Sequence, residues 1–357
     1  MSERVFITGF GIITSIGNNA EENFQSLVAR KYGFGSLEIL DTVHRQSLPA
    51  CEIKLDEQQL CALAGVNTHE GFTRTSLLGI IALQEAINHA GLTSEEVHQS
   101  GLISATTTGG IREFEQFYHE LMDPEKHGDF VRFTDTATSG EHCERIADRV
   151  GIRKYLGTIS TACSSSANAL MHGAQLIKNK KLERVICGGS EALSKFTVNG
   201  FNTLMILDKE HCRPFDSTRN GLNLGEGAAY IVLESEIAVI RNKKTAIAEL
   251  KGYGNANDAF HQTASSPDGA GAFSAMRQAL SLAQIAPKDV EYINAHGTAT
   301  ENNDLSEGLG MKRLFNDTLP DFSSTKPYTG HTLAAAGSVE AVYSLMAIQK
   351  RMIWPNL

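Results

Sequence analysis

Apolar residues along this chain alternate between short compact runs, which suit strands, and three-to-four-residue spacings, which suit helices. Compact runs at 5–9, 102–107, 156–161, 184–187 and 228–233 predict short strands, that at 156–161 buried. From Ser164 onward, Ala167, Leu170, Met171, Ala174 and Ile177 recur at helical spacing, and the basic run 178–181 complements the negative end of that helix. The pattern then restarts. A strand over 247–254 ends in glycines like the first, and a helix over 271–283 and a strand over 290–294 follow. A last helix carries Val339, Val342, Tyr343 and Met346 as one apolar stripe. Alternating strands and helices imply α/β layers, and the repeat divides the chain into halves, 1–246 and 247–357. No Pro- or Ser-rich linker separates them, so they are expected to share one core.

Three segments carry candidate chemistry. SerThrAlaCysSerSerSerAlaAsnAlaLeu, 160–170, lifts Cys163 onto a helix mouth directly after a strand. Unpaired backbone N–H groups and the positive helix end there favour a thiolate, and the small neighbours admit a substrate backbone. The competing reading is a small core residue, the usual fate of a free cysteine. The segment 293–304 puts His296 at the end of a strand, and the segment 324–337 puts His331 at another helix mouth, equivalent to that of Cys163 in the first half.

With these motifs the chain resembles the β-ketoacyl-acyl-carrier-protein synthases of the thiolase superfamily, closest to elongating condensing enzymes with a Cys-His-His site. The likeness runs from ArgValPheIleThrGlyPheGlyIle, 4–12, through CysArgProPheAspSerThrArgAsnGlyLeuAsnLeuGlyGluGlyAla, 212–228, to the Lys326 and His331 segment. It implies a thiolase-like, five-layered α-β-α-β-α fold built from two duplicated halves. It implies Cys163 as acyl acceptor, His296 and His331 as the pair that handles malonyl decarboxylation, and Lys326 as the cation that orients and tunes His331. Asn294, Glu307 and Glu340 would form a polar network or a cation site. The implied activity is decarboxylative Claisen condensation with malonyl-acyl carrier protein in fatty-acid or type II polyketide-like synthesis, with no cofactor required and a homodimer as the working form. Two alternatives stand beside it. A thiolase-like enzyme acting on coenzyme A esters would use a second cysteine as base, and a non-catalytic partner resembling a chain-length factor would usually lack the nucleophile.

Composition narrows the setting. With 41% hydrophobic residues in 357, the chain can bury a sizeable core. Six cysteines without a CxxC pair or metal spacing fit a reducing compartment. The strand-like amino terminus is no secretory segment and no apolar run is long enough to span a bilayer, so a cytoplasmic protein without membrane contact is expected. A net charge of −9 argues against a nucleic-acid surface, and an acidic carrier then needs a local basic patch. Candidates are the 214–219 run and the Lys178 to Arg184 cluster, but Met205 stands where many relatives carry arginine.

Other residues are set aside. His172 is expected to pack or face solvent, Gly188, Gly189 and 107–110 to form tight strand-end turns, and 213–227 to shape a pocket wall. The second half lacks two strands that the first half has. The chain is therefore expected to continue past Leu357, and the resemblance implies that this continuation carries a Gly-Phe-Gly-Gly turn that completes the oxyanion hole.

Overall fold

The computed structural model describes residues 3–261 and 264–357. Eight of the ten strands among the described residues form the two layers that carry the site: β1 (Val5–Thr14), β2 (Gly101–Ala105), β3 (Tyr155–Ile159), β4 (Arg184–Glu191), β5 (Gly227–Ser235), β6 (Ala248–Glu249), β7 (Tyr292–Asn294) and β8 (Asp321–Ser323). Six helices flank them: α1 (Arg74–His89), α2 (Ser165–Lys178), α3 (Lys195–Thr203), α4 (Ala270–Ala283), α5 (Glu301–Phe315) and α6 (Ala336–Lys350).

The first six strands form one sheet in the order β3-β2-β4-β5-β1-β6, parallel around β2 and antiparallel around β5. Every residue of β4 and β5 is buried, as expected of strands covered on both faces. One apolar cluster, including Leu77, Leu78, Ile80, Leu83, Ile186 and Tyr230, fills the α1 side. A second, including Ile103, Cys187, Ile231, Val339, Val342 and Met346, fills the side covered by α2 and α6. Beyond those helices lie the parallel pair β7–β8 and then α4 packed on α5. This is the five-layered thiolase-like arrangement, and the stripe predicted at Val339, Val342, Tyr343 and Met346 is buried throughout.

Glycine fixes the central layer. A Cβ on Gly173 would lie 2.2 Å from Cys187 Sγ, so α2 presses directly on β4. A Cβ on Gly337 would lie 2.9 Å from Ala167 N, so the starts of α6 and α2 touch, and Ser338 N donates to Ser166 Oγ at 2.9 Å. The mouths of the two equivalent helices are thereby brought together.

Four expectations change. Over 247–254 only Ala248–Glu249 joins the sheet, because the 252–254 backbone lies flat against α4 instead of extending a ladder. β3 is half-buried rather than buried, being the sheet's unpaired edge, with Leu156 exposed. Ala167, placed on the apolar stripe of α2, is exposed. Gly188 and Gly189 lie inside buried β4 rather than in a turn at its end. Among the described residues no helix is long and apolar enough to cross a membrane.

Candidate active site

Cys163 sits on the sharp turn between β3 and α2. Ala162 just before it has φ of +53°, a left-handed conformation that costs an alanine roughly 1–2 kcal/mol. Ser165 Oγ holds that turn by donating to Ala162 O at 2.5 Å and accepting from Thr161 N at 2.8 Å. Burial pushes the Cys163 thiol above its ordinary range and the Lys326 charge pulls it back, the net shift being upward. The expectation of a favoured resting thiolate is thus corrected. Desolvation at the bottom of the site outweighs the helix end.

His296 follows β7. Its backbone N and that of Gly297 donate to the two oxygens of Glu307, each at 2.8 Å. His331 is held by its backbone, with its N donating to Asn223 O at 2.8 Å and its O accepting from Gly225 N at 3.0 Å. It precedes a 3₁₀ turn, Leu333–Ala335, that leads into α6, one step further from the helix than expected. Leu333, with φ of +50°, turns its N–H back onto His331 Nδ1 at 3.0 Å.

Lys326 is buried, and its ammonium reaches three acceptors: His296 O at 2.5 Å, His296 Nδ1 at 3.1 Å, and the Glu340 carboxylate. Its direct partner is therefore His296 and not His331, which corrects the orienting role expected for it. Its charge nevertheless acts on both rings. Burial first, and then Lys326, lower both histidines well below their ordinary value, so both are neutral. Since each Nδ1 accepts a hydrogen bond, the network assigns the remaining proton of each ring to Nε2.

The rings stand edge to face with centroids 5.2 Å apart. Cys163 Sγ and one nitrogen from each ring lie within 4.8 Å of one another. That spacing alone would suit a metal, but the assigned tautomers turn N–H donors where a metal needs lone pairs, with an ammonium behind them. Two N–H donors beside an ammonium suit an anionic oxygen better than a cation.

These residues open into a cavity of about 1160 Å³. Thr107, Thr108, Thr298 and Thr300 line it near the histidines, and Phe201 and Leu333 add apolar wall. The segment 213–227 contributes Arg219, Asn220, Gly221 and Leu222 as the wall expected of it. The Arg219 guanidinium donates to Asp216 O at 2.9 Å and Glu301 O at 3.1 Å. The Lys178 to Arg184 cluster is not a basic patch at the mouth. Arg184 is buried in ion pairs with Glu96 and Glu234, and Lys178 lies at the far end of α2, roughly 21 Å along the helix from its start. His172 packs on Tyr155, Nε2 to OH at 3.0 Å, apart from the cavity.

No motif singles out Glu191, the fully buried last residue of β4. Thr107 and Thr108, whose hydroxyls it binds, were read only as part of a turn. The available signal was a carboxylate closing an otherwise uncharged strand core, which must find donors when buried.

Asn294, Glu307 and Glu340 surround the same lysine: Asn294 Nδ2 donates to Glu340 O at 3.1 Å, Glu307 serves the His296–Gly297 backbone, and Glu340 serves Lys326.

Two family models match, described as the N-terminal domain of β-ketoacyl synthase over residues 2–237 and its C-terminal domain over 247–357. The chain is 30% identical to the 3-oxoacyl-[acyl-carrier-protein] synthase 2 of Staphylococcus aureus, over 100% of this chain and 88% of that protein. It is 32% identical to the protein of the same name from Synechocystis, over 99% of this chain and 88% of the relative. Among solved structures, the ishigamide ketosynthase/chain length factor aligns with a TM-score of 0.91 at 28% identity, covering 100% of this chain and 88% of that one. A β-ketoacyl synthase from Burkholderia phymatum aligns with a TM-score of 0.86 at 27% identity, covering 99% and 88%.

Proposed function

Because the chain belongs to the β-ketoacyl synthase family, a family of acyltransferases that condense acyl and malonyl thioesters without a cofactor, we propose that Cys163 carries the acyl group while His296 and His331 hold the malonyl unit. The observation that supports these roles is the meeting of one thiol and two neutral, Nε2-protonated imidazoles within 4.8 Å at the cavity wall.

In the first half-reaction Cys163 sulfur bonds to the acyl carbonyl carbon, the bond to the carrier sulfur breaks, and the thiol proton ends on the departing carrier thiol. The Cys163 backbone N–H at the helix mouth serves as an oxyanion donor. In the second, the two Nε2–H groups hold the malonyl thioester oxygen. The carboxylate leaves as carbon dioxide, its bonding pair passes into an enolate, and both donors stabilise the charge. The enolate carbon bonds to the acyl carbon, Cys163 sulfur departs, and it regains a proton from solvent. The product is a β-ketoacyl thioester two carbons longer. Lys326 positions His296 by occupying its Nδ1.

The acyl and malonyl groups arrive on an acyl carrier protein, which docks at a mouth whose rim is apolar at Phe196, Leu204 and exposed Met205. Asn294, Glu307 and Glu340 act as a polar scaffold for Lys326 and His296 rather than as a cation shell, both Glu307 oxygens and one Glu340 oxygen being engaged by N–H donors. Residues 1–246 supply the nucleophile and 247–357 the two histidines. The thiolase alternative lacks its base, since the other five cysteines are all buried and none lines the cavity. The partner-subunit alternative is disfavoured by a nucleophile and two donors all in place. Incubation with acyl- and malonyl-carrier thioesters should yield the β-ketoacyl thioester by mass spectrometry, and release of carbon dioxide without a lengthened product would overturn this reading.

The working form is a homodimer. β3 is an unpaired sheet edge, and exposed Leu156, Ala162 and Ala167 continue beside it, a surface that an edge-to-edge second copy covers. Light scattering at micromolar concentration is expected to give twice the 38.7 kDa chain mass, and a monomer mass would contradict it.

A further inference from the structure

We infer that Glu191 is a positioning residue that holds His331 in its hydrogen-bond-donating form. Glu191 is fully buried, and no ion pair engages its carboxylate among the described residues. Six donors converge on it. Oε1 accepts from Thr106 Oγ1 at 3.1 Å, Thr108 N at 3.2 Å and Thr108 Oγ1 at 2.8 Å. Oε2 accepts from Thr107 N at 2.8 Å, Thr107 Oγ1 at 2.6 Å and Ala334 N at 3.3 Å.

The carboxylate thus joins three stretches of chain: the end of β4, the loop after β2, and the turn after His331. The last contact is the consequential one. Ala334 follows Leu333, whose left-handed backbone aims its N–H at His331 Nδ1. A left-handed leucine persists only where its surroundings hold it, and Glu191 grips the next N–H along. The His331 backbone, by contrast, is anchored by Asn223 and Gly225 without any help from Glu191. Removing the carboxylate therefore leaves the imidazole in place and releases the turn that fixes its tautomer. With Nδ1 unpartnered, the ring proton distributes between the two nitrogens and the donor aimed at the malonyl oxygen is lost for part of the time. The hydroxyl protons of Thr107 and Thr108, which line the cavity, are spent on the same carboxylate, so this stretch of wall offers no hydroxyl donor to an acyl chain.

This inference rests on His331 as one of the malonyl donors, and the experiment separates the two. Glu191→Gln in the full chain should lower malonyl decarboxylation by about 10²-fold, a typical cost of a small misplacement. Labelling of Cys163 by an electrophile should stay within about threefold, because its turn is held by Ser165. The signature that a merely structural role would not move is the nitrogen-15 spectrum of histidine-labelled protein. His331 should read as the Nε2–H tautomer in the parent chain and as a tautomer mixture in the variant. An unchanged tautomer in Glu191→Gln overturns the inference whatever the activity. Wild-type decarboxylation in His331→Ala instead overturns the donor reading and leaves the tautomer result standing. If Glu191→Gln fails to fold, Glu191→Asp, which keeps the charge on a shorter arm, should show the same mixed tautomer, and a parent-like spectrum there overturns the inference equally.

Discussion

His296→Ala and His331→Ala are each expected to slow malonyl decarboxylation by roughly 10²–10³-fold while Cys163 still accepts an acyl group. The two rings meet edge to face, and their hydrogen-bond partners leave one N–H on each for the developing enolate oxygen. Loss of either halves the donors available to that charge. Acylation of Cys163 needs neither of them, since that step moves a proton only between two sulfurs. Carbon dioxide release measured beside the intact mass of the acylated protein separates the steps, and wild-type release from both variants would sink the assignment. The pH profile follows from the same environment. Both histidines lie well below their ordinary 6.5, and the neutral form is the active one. Wild-type decarboxylation should therefore persist as pH falls through 6.5 and fail only well below it, whereas a loss centred at 6.5 would show the rings to be more exposed to solvent than they are here.

Cys163→Ala should abolish acyl uptake and condensation altogether, and an electrophile should label Cys163 alone in the parent chain. The other five cysteines are buried, and burial pushes Cys212, for one, to about 12. Cys163 is the only half-buried one and opens on the cavity. Because burial also holds its thiol above 9.0, the thiolate fraction is small at neutral pH. Alkylation of Cys163 should accordingly rise about tenfold per pH unit between 7 and 9. A plateau below pH 9, or peptide mapping that places most of the label on another cysteine, would refute this reading of the nucleophile.

The acid-stable neutral histidines and the reluctant thiol have one origin. Lys326 lies among all three groups, lowering the histidines and opposing the rise of the thiol, while Glu340 raises the thiol slightly. Burial dominates in each case. The site therefore keeps its reacting groups neutral until a thioester brings the charge for which the N–H groups are arranged.

What the sequence by itself determined was whatever depends on neighbours within a dozen or so residues. The turn that exposes Cys163 is built by Thr161, Ala162 and Ser165 beside it, and the buried stripe of α6 is a matter of helical period. The α/β layering also followed from period, since a strand of near-continuous apolar residues can only lie between two covering layers. The tertiary structure alone decided what depends on distant segments meeting. Lys326 was legible as a cation beside His331 in the chain, yet its flexible arm reaches back 30 residues to His296. The segment 247–254 carries a strand pattern but spends its glycines on approaching α4. Glu191 carries no sign of its role in its own neighbourhood, since its partner at Ala334 is 143 residues away. The thiol's resting protonation was misjudged because a helix mouth is a local feature, whereas burial is the sum of everything the fold packs around it. Local geometry is written in local residues. Partners for buried charge come from wherever the chain crosses, and only the assembled layers fix that crossing.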